Sequence, residues 1–334
     1  MKDFNKSVKN VAYLLVSMSM LLAGCGGSGD NSDTDNDSGT DTGSDALDIS
    51  NAIFSENDAD CATYSNSYEA DVTDIQRSMG FALDVVISND TTSCTFSSNN
   101  IPNHDFNDAS ANFATPVSEV SQTFVVTRTP VIANSPTAFT QRTYNAVMLN
   151  GVPLDILSAG CYMPTSAQAD ADGNVAIGCR DTDPYLLDPL GTESKFGADA
   201  HNAHTQPDGS YHYHGNPNAM FDESPGPKGS PVIGFAADGF PIYGSYFLDP
   251  ATGTVRKAIS GYTLKSGSRG IKSNTNPGGT YDGTYTSDWE FTGAGDLDSC
   301  NGMTVNGQYG YYVTDTYPWV MRCFTGTPNE SFNK

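Results

Sequence analysis

Histidine is the residue type in this chain whose placement is hardest to attribute to chance. The chain has 5 histidines, and His201, His204, His212 and His214 all lie within one short segment. Imidazole is the side chain that transition metals bind most often, so the cluster indicates a metal site. Its nitrogen-rich donor set suits Cu or Zn, whereas Ca and Mg prefer oxygen ligands.

The spacing within this segment predicts how the rings meet. The run YHYH at residues 211–214 alternates, so an extended backbone would project both of its histidines to one face and both tyrosines to the other. His201 and His204 are three residues apart, which predicts that they align on a helical turn. The turn residues at 207–209 would return the chain toward the extended run. Three or four imidazoles are therefore expected at one centre.

Two other interpretations of the cluster remain open from the sequence. The histidines could form a hydrogen-bonded packing cluster without metal, or one of them could act in general acid–base catalysis. Asp199, or a carboxylate from a distant loop, could complete or orient the ligands. His104 stands alone in a polar loop and is predicted to be a surface residue.

Four acidic residues are further candidates for a pocket. Asp238 precedes a glycine and first predicts a hairpin turn, with a functional role as the alternative. Asp282, Asp288 and Glu290 are interleaved with aromatic residues, and the last two could present carboxylates on one face for a cation or for acid–base chemistry. The alternative is a solvated strand face. Aromatic residues among Gly and Asp also suit a surface that binds a glycan or small molecule.

The elements that must position these residues are predicted to be mainly β, with long loops and few short helices. Residues 120–128, 144–149, 232–246 and 309–316 have strand-like composition, and Asn150-Gly151 and Asp238-Gly239 predict tight turns. The 33 Gly and 18 Pro leave little room for long helices. Short helices are predicted at Val72–Phe81 and around Leu186–Phe196.

The chain has seven cysteines, and the six that follow Cys25 indicate an oxidising compartment and a single large domain stapled by disulfides. Fifteen pairings are possible, and the local spacing favours the sequential one. These cysteines are Cys61 with Cys94, Cys161 with Cys179, and Cys300 with Cys323.

The amino terminus predicts export and anchoring. Residues 1–24 have the basic and apolar regions of a signal peptide, and Cys25 stands where a bacterial lipoprotein would be cleaved and lipidated. Residues 25–48 read as an acidic Gly/Ser/Asp tether. We therefore expect a lipid-anchored, palmitate-carrying protein of the cell envelope, in the outer membrane if the host is Gram-negative. The remainder divides into an N-terminal subregion (49–110) and a β domain (111–334).

Charge and missing motifs exclude several function classes. The chain carries 39 acidic and 16 basic residues, for a net charge of −23, so nucleic acid is not an expected partner. No P-loop occurs, which argues against a nucleotide-dependent enzyme. The GxSxG motif of serine hydrolases and the HExxH motif of zinc proteases are also missing.

The histidine segment, residues 202–215, resembles the signature of the bacterial YHYH-domain family. The likeness continues in order through 233–244, 277–283 and 295–302 and ends near Arg322, covering roughly residues 145 to 326. The resemblance implies an exported protein and no particular activity. It marks His204, His212 and His214 as family-pattern histidines and leaves His201 outside.

Two functions follow as expectations. The first is an exported, lipid-anchored protein whose YHYH-like domain holds Cu or Zn. The second is a non-enzymatic cell-surface module that binds a glycan or a protein and in which the histidines are structural. The sequence leaves open whether the protein is an enzyme.

Overall fold

Residues 46–191 and 196–334 are described by the structure, a computed structural model. The predicted signal peptide, Cys25 and nearly all of the tether lie outside the described residues. The described residues group into one compact unit. The regular structure of the described residues is mainly β, which confirms the predicted fold class, and their helices are three short 3-10 turns at Cys61–Tyr64, Thr286–Asp288 and Glu330–Phe332.

The first sheet is a meander of five strands within the described residues. They are β1 (Leu47–Asp48), β2 (Asn66–Asp74), β3 (Met79–Asn89), β4 (Ser93–Ser98) and β5 (Gln122–Thr127). The sheet order follows the sequence, with β1 parallel to β2 and every other pair antiparallel. Burial alternates along β4, where Cys94 and Phe96 point inward, as expected of a sheet with one solvated face.

The second sheet holds the histidine segment. In the described part of the chain its eight strands are β7 (Ala146–Met148), β8 (Pro153–Leu154), β11 (Ala203–Thr205), β12 (Tyr211–Tyr213), β13 (Val232–Ala236), β14 (Pro241–Tyr243), β21 (Gly302–Val305) and β22 (Gln308–Tyr312). Their order is β11-β12-β8-β7-β13-β14-β22-β21. The predicted Asn150-Gly151 and Asp238-Gly239 turns connect β7 to β8 and β13 to β14.

The other described strands form two-stranded ribbons around this sheet. The pairs are β6 (Thr137–Ala138) with β23 (Cys323–Phe324), β9 (Cys161–Tyr162) with β10 (Asn174–Val175), β15 (Tyr246–Asp249) with β16 (Thr254–Lys257), β17 (Tyr262–Leu264) with β20 (Trp289–Phe291), and β18 (Ser268–Gly270) with β19 (Gly279–Thr280).

The two large sheets share one hydrophobic core. Phe235 of β13 packs against Tyr64 (centroids 5.7 Å apart) and against Phe96 of β4 (6.1 Å). Val85 of β3 and Val147 of β7 are fully buried in the same cluster. The first sheet therefore covers one face of the strands that position the histidines.

Disulfides pair the six described cysteines in the sequential order that the local spacing favours. Cys61 is bonded to Cys94, Cys161 to Cys179, and Cys300 to Cys323.

Both helix predictions are wrong for the described residues. Val72–Phe81 is instead the end of β2, a turn and the start of β3, because Ser78 takes a positive φ of 50° that breaks any helix. Leu186 and Leu187 bridge to Cys161 and Tyr285 in extended conformation, and the described residues up to Phe196 contain no helix. None of the helices described is long and apolar enough to cross a membrane.

Candidate metal centre

A hairpin of β11 and β12 positions the histidine cluster. The strands pair antiparallel with His204 directly opposite His212, so both side chains leave the same face of the sheet. The turn depends on Gly209, whose φ is +88° and whose N–H donates to the carbonyl of Gln206 (2.9 Å). Asp208 closes the turn by accepting from the backbone N–H of Ser210 (3.0 Å).

The rings of His204, His212 and His214 converge. The Nε2 atom of His214 lies 2.9 Å from Nε2 of His204 and 3.1 Å from Nε2 of His212. One ligand nitrogen from each ring lies within 4.8 Å of the others. The three ring planes are inclined to one another by 61° to 74°. The three nitrogens therefore face a common centre rather than stacking in parallel.

Burial favours the neutral form of these three imidazoles. Burial lowers the pKa of His204 and lowers the pKa values of His212 and His214 well below the usual histidine range. The charge of Lys334 acts in the same direction on His212 and His214, to a smaller extent. Neutral imidazole is the form that binds metal, so desolvation prepares all three rings for coordination.

A backbone hydrogen bond fixes the tautomer of His204. Its Nδ1 lies 2.8 Å from the carbonyl oxygen of Phe196, which can only accept, so Nδ1 carries the proton and the lone pair is on Nε2. The Nδ1 atoms of His212 and His214 are buried and make no hydrogen bond of good geometry with the described residues, although a backbone carbonyl group lies near each ring.

His201 does not join these three rings. Its ring packs against that of His104 with centroids 3.8 Å apart, and its Nδ1 lies 2.8 Å from the carbonyl oxygen of Pro217. The predicted helical turn with His204 is wrong, because the chain enters β11 at residue 203. The surface position predicted for His104 is also wrong: it is 3% exposed, and its Nε2 lies 2.7 Å from the hydroxyl of Tyr213.

The tyrosines of the run lie on the other face, packed into the core. Tyr211 donates its hydroxyl to Asp199 (2.7 Å), while Asn150 donates to the hydroxyl of Tyr213 (2.9 Å). Asp199, which was a candidate for completing the metal ligands, therefore forms its side-chain hydrogen bond with Tyr211 on the tyrosine face of the strand.

Comparison with known proteins identifies one family. A family model described as YHYH protein matches residues 123–326, more than half of the chain. The chain belongs to the YHYH family. Searches of curated proteins and of solved structures found no match.

Asp238 of the YHYH domain has a structural role in its turn. It is buried and accepts hydrogen bonds from the hydroxyl of Tyr311 (2.6 Å) and the backbone N–H of Gly326 (2.9 Å). Burial raises its pKa. These contacts join the β13–β14 turn to β22 and to the end of the domain, and they do not involve the three converging histidines.

Nor do the other acidic candidates form a shared site. Asp288 is fully buried and accepts from Nε of Arg269 (2.8 Å), whose guanidinium also pairs with Asp282 (2.5 Å). Glu290 points to solvent from β20. The expectation that Asp288 and Glu290 share one face is wrong. Asp288 is the last residue of a 3-10 turn and Glu290 lies in the strand that follows, so the two are not alternate residues of one strand.

Three residues near the histidines of the YHYH domain were not found by sequence reasoning. Asp155 is buried and accepts from Nε2 of Gln206 (3.0 Å) and from the ammonium of Lys334. Gln206 follows His204 by two positions, so strand alternation could have predicted that the two side chains share a face. Asp155 and Lys334 are distant in sequence and gave no local signal.

Two other groups of potential ligands among the described residues each contain two cysteines. These are Asp60 with Cys61 and Cys94, and Asp183 with Cys161 and Cys179. In both groups the cysteines are joined in a disulfide, so they offer no thiolate. Among the described residues, the three histidines are therefore the remaining candidate for a metal site.

Proposed function

We propose that the YHYH domain is a transition-metal centre that binds Cu or Zn through His204, His212 and His214. The observation that supports it is the convergence of three buried rings, with Nε2 of His214 within hydrogen-bonding distance of Nε2 of both His204 and His212. In the Nδ1–H tautomers the Nε2 lone pairs of the three rings face each other and repel, and a cation between them removes that repulsion. Three histidines are a common zinc donor set.

The distances fit such an ion with little movement. With Zn–N bonds of about 2.0–2.1 Å, tetrahedral ligands lie about 3.3 Å apart. The N···N distances from His214 to His204 and to His212 are 2.9 and 3.1 Å, so each would open by only a few tenths of an ångström. Three protein ligands would leave one position of a tetrahedral ion for another group.

We further propose that the domain is held at the cell envelope by a lipid on Cys25. This rests on the signal-like residues 1–24 and the acidic run that follows them. The three disulfides support an oxidising compartment outside the cytoplasm. Radiolabelled palmitate incorporation into the wild type, and its loss in Cys25→Ala, would test this anchor.

Metal analysis of the untagged protein tests the proposed centre. We expect near-stoichiometric Cu or Zn in the wild type and none in a folded His212→Ala/His214→Ala variant. His201→Ala is the matched control, because it removes an imidazole of the same segment that lies outside the triad, and it should retain the metal. A wild type that takes up neither metal, or a double variant that keeps it, would contradict the proposal.

A second candidate function, glycan binding, is favoured by one groove. The groove has a volume of about 530 Å³ and is lined by Trp289 and Tyr262 together with Asp181 and Arg322. Trp289 stacks in parallel on Tyr317, with centroids 5.4 Å apart, which gives a rigid aromatic platform. Oligosaccharides that raise the melting temperature of the wild type but not of Trp289→Ala would support this function.

A further inference from the structure

Asp155 lies directly after β8, beside the strand that carries the histidines. β8 runs parallel to β12 with Leu154 opposite Tyr213, and the N–H of Asp155 donates to the carbonyl of Tyr213 (2.8 Å). Side chains alternate along both strands, so residue 155 faces the histidine side while Leu154 and Tyr213 face the core. The contact between Asp155 and Gln206 agrees with this placement, since Gln206 follows His204 by two positions.

The two oxygens of this carboxylate have different surroundings. Oδ2 accepts from Gln206 and from the ammonium of Lys334. Oδ1 is also buried, yet it receives no hydrogen bond from the described residues. A buried carboxylate oxygen without a donor is costly, so native proteins normally satisfy it with a side chain, an ion or an ordered water.

The carboxylate stands near the triad without being part of it. The group of side chains whose ligand atoms lie within 4.8 Å of one another contains His204, His212 and His214 and no carboxylate. The charge of Asp155 nevertheless acts on the His204 ring, partly opposing the effect of burial there. Asp155 is therefore not one of the converging ligands but lies within electrostatic range of them.

We infer that Oδ1 of Asp155 accepts a hydrogen bond from a water in the fourth coordination position of the ion. This inference rests on the proposed metal centre. Gln206 and Lys334 hold Oδ2, which orients the carboxylate and leaves Oδ1 for the water. Asp155 is thus a positioning residue, and the centre is of the open type, with an exchangeable ligand, rather than a closed structural site.

Cobalt loading of the full chain tests this role, because Co²⁺ replaces Zn²⁺ and has a visible spectrum that reports its ligands. We expect azide to change the spectrum of the wild type by displacing the water. Asp155→Asn should shift the spectrum before azide is added and weaken Co²⁺ binding by about 10- to 100-fold, the usual effect of losing such a partner. Asp238→Asn is the matched control, a buried aspartate bonded to Tyr311, and it should leave both properties unchanged.

The outcomes separate the two proposals. A wild type that binds no Co²⁺, Zn²⁺ or Cu²⁺ would refute the metal centre itself. A wild type that binds Co²⁺ but ignores azide, or an Asp155→Asn variant with the wild-type spectrum and affinity, would overturn the role of Asp155 alone. If Asp155→Asn does not fold, Gln206→Met decides, since it keeps the carboxylate but removes one of its orienting bonds. A Gln206→Met cobalt spectrum that differs from that of the wild type supports the inference, and an unchanged spectrum rejects it.

Discussion

At the scale of single residues, backbone carbonyls determine which ring nitrogen of His204 and of His104 carries the proton. A carbonyl oxygen only accepts, so the Nδ1 atoms of His204 and His104, 2.8 Å from the carbonyls of Phe196 and Asp105, must carry protons. The Nε2 of each ring is then an acceptor. On His204 this lone pair faces the triad, whereas on His104 it accepts the hydroxyl proton of Tyr213. The same kind of backbone hydrogen bond thus orients a histidine on each face of the β11–β12 hairpin.

His104 should make stability depend on pH in a defined direction. Burial, with a smaller contribution from the neighbouring His201, lowers the pKa of His104 from 6.5 to about 3. As the pH falls from 6.5 toward 3, the unfolded chain binds a proton that the folded chain excludes, so the wild type loses stability. A His104→Gln variant has no such group. We expect the wild type to be more stable by about 1–3 kcal/mol above pH 6.5, through its hydrogen bond to Tyr213.

Denaturant unfolding of both proteins from pH 7.5 to pH 4 measures this difference. The advantage of the wild type should shrink steadily as the pH falls. The other titrating groups are common to both proteins and largely cancel in the comparison. A difference that stays constant across the range would show that His104 is protonated in the folded state or is accessible to solvent.

At the scale of elements, the β11–β12 hairpin depends on the residue at its turn. A Cβ added to Gly209 would lie 2.2 Å from Oγ of Ser118 and 2.9 Å from the carbonyl oxygen of Pro116. Gly253, in the β15–β16 turn, also has a positive φ (69°) but has nothing within 4 Å of an added Cβ. Gly253→Ala should therefore cost about 1–2 kcal/mol from backbone strain alone. Gly209→Ala should cost more and should also weaken metal binding, because it displaces the strand bearing His212.

Unfolding free energies and zinc affinities of the two variants check this expectation. Equal destabilisation, or a Gly209→Ala variant with wild-type zinc affinity, would mean that the turn does not control the position of the triad.

Local patterns in the sequence predicted the local features of the site. Alternation at residues 211–214 placed the histidines opposite the tyrosines, and Asn150-Gly151 and Asp238-Gly239 predicted two of the turns that build the second sheet. The pattern failed at Val72–Phe81, where apolar spacing mimics a helix although a turn lies at its centre. His104 and Tyr213 are separated by 109 residues, and Asp155 and Lys334 by 179. Their pairing depends on how the sheets pack, which periodicity does not encode.

At the scale of the whole molecule, the histidine strand is supported by residues that precede the family match. Asn100 donates to the carbonyl of Tyr211 (2.8 Å), His104 accepts from Tyr213, and the N–H of Asn107 donates to Asp199 (3.2 Å). All of these precede residue 111, where the sequence places the start of the β domain. The first sheet therefore contributes both apolar cover and polar support to the candidate centre.

A fragment of residues 111–334 should therefore fail to fold, whereas residues 46–334 should unfold cooperatively. Removing β1–β4 would leave β5 as an unpaired edge and expose the face of the second sheet that packs against Phe96. Incorrect disulfide pairing would not explain the failure, because Cys61 and Cys94 pair with each other and both leave with the deleted part. Near-ultraviolet circular dichroism and thermal unfolding distinguish the two fragments. If residues 111–334 show a cooperative transition and bind zinc as the longer fragment does, the N-terminal subregion is dispensable and the triad is positioned by the second sheet alone.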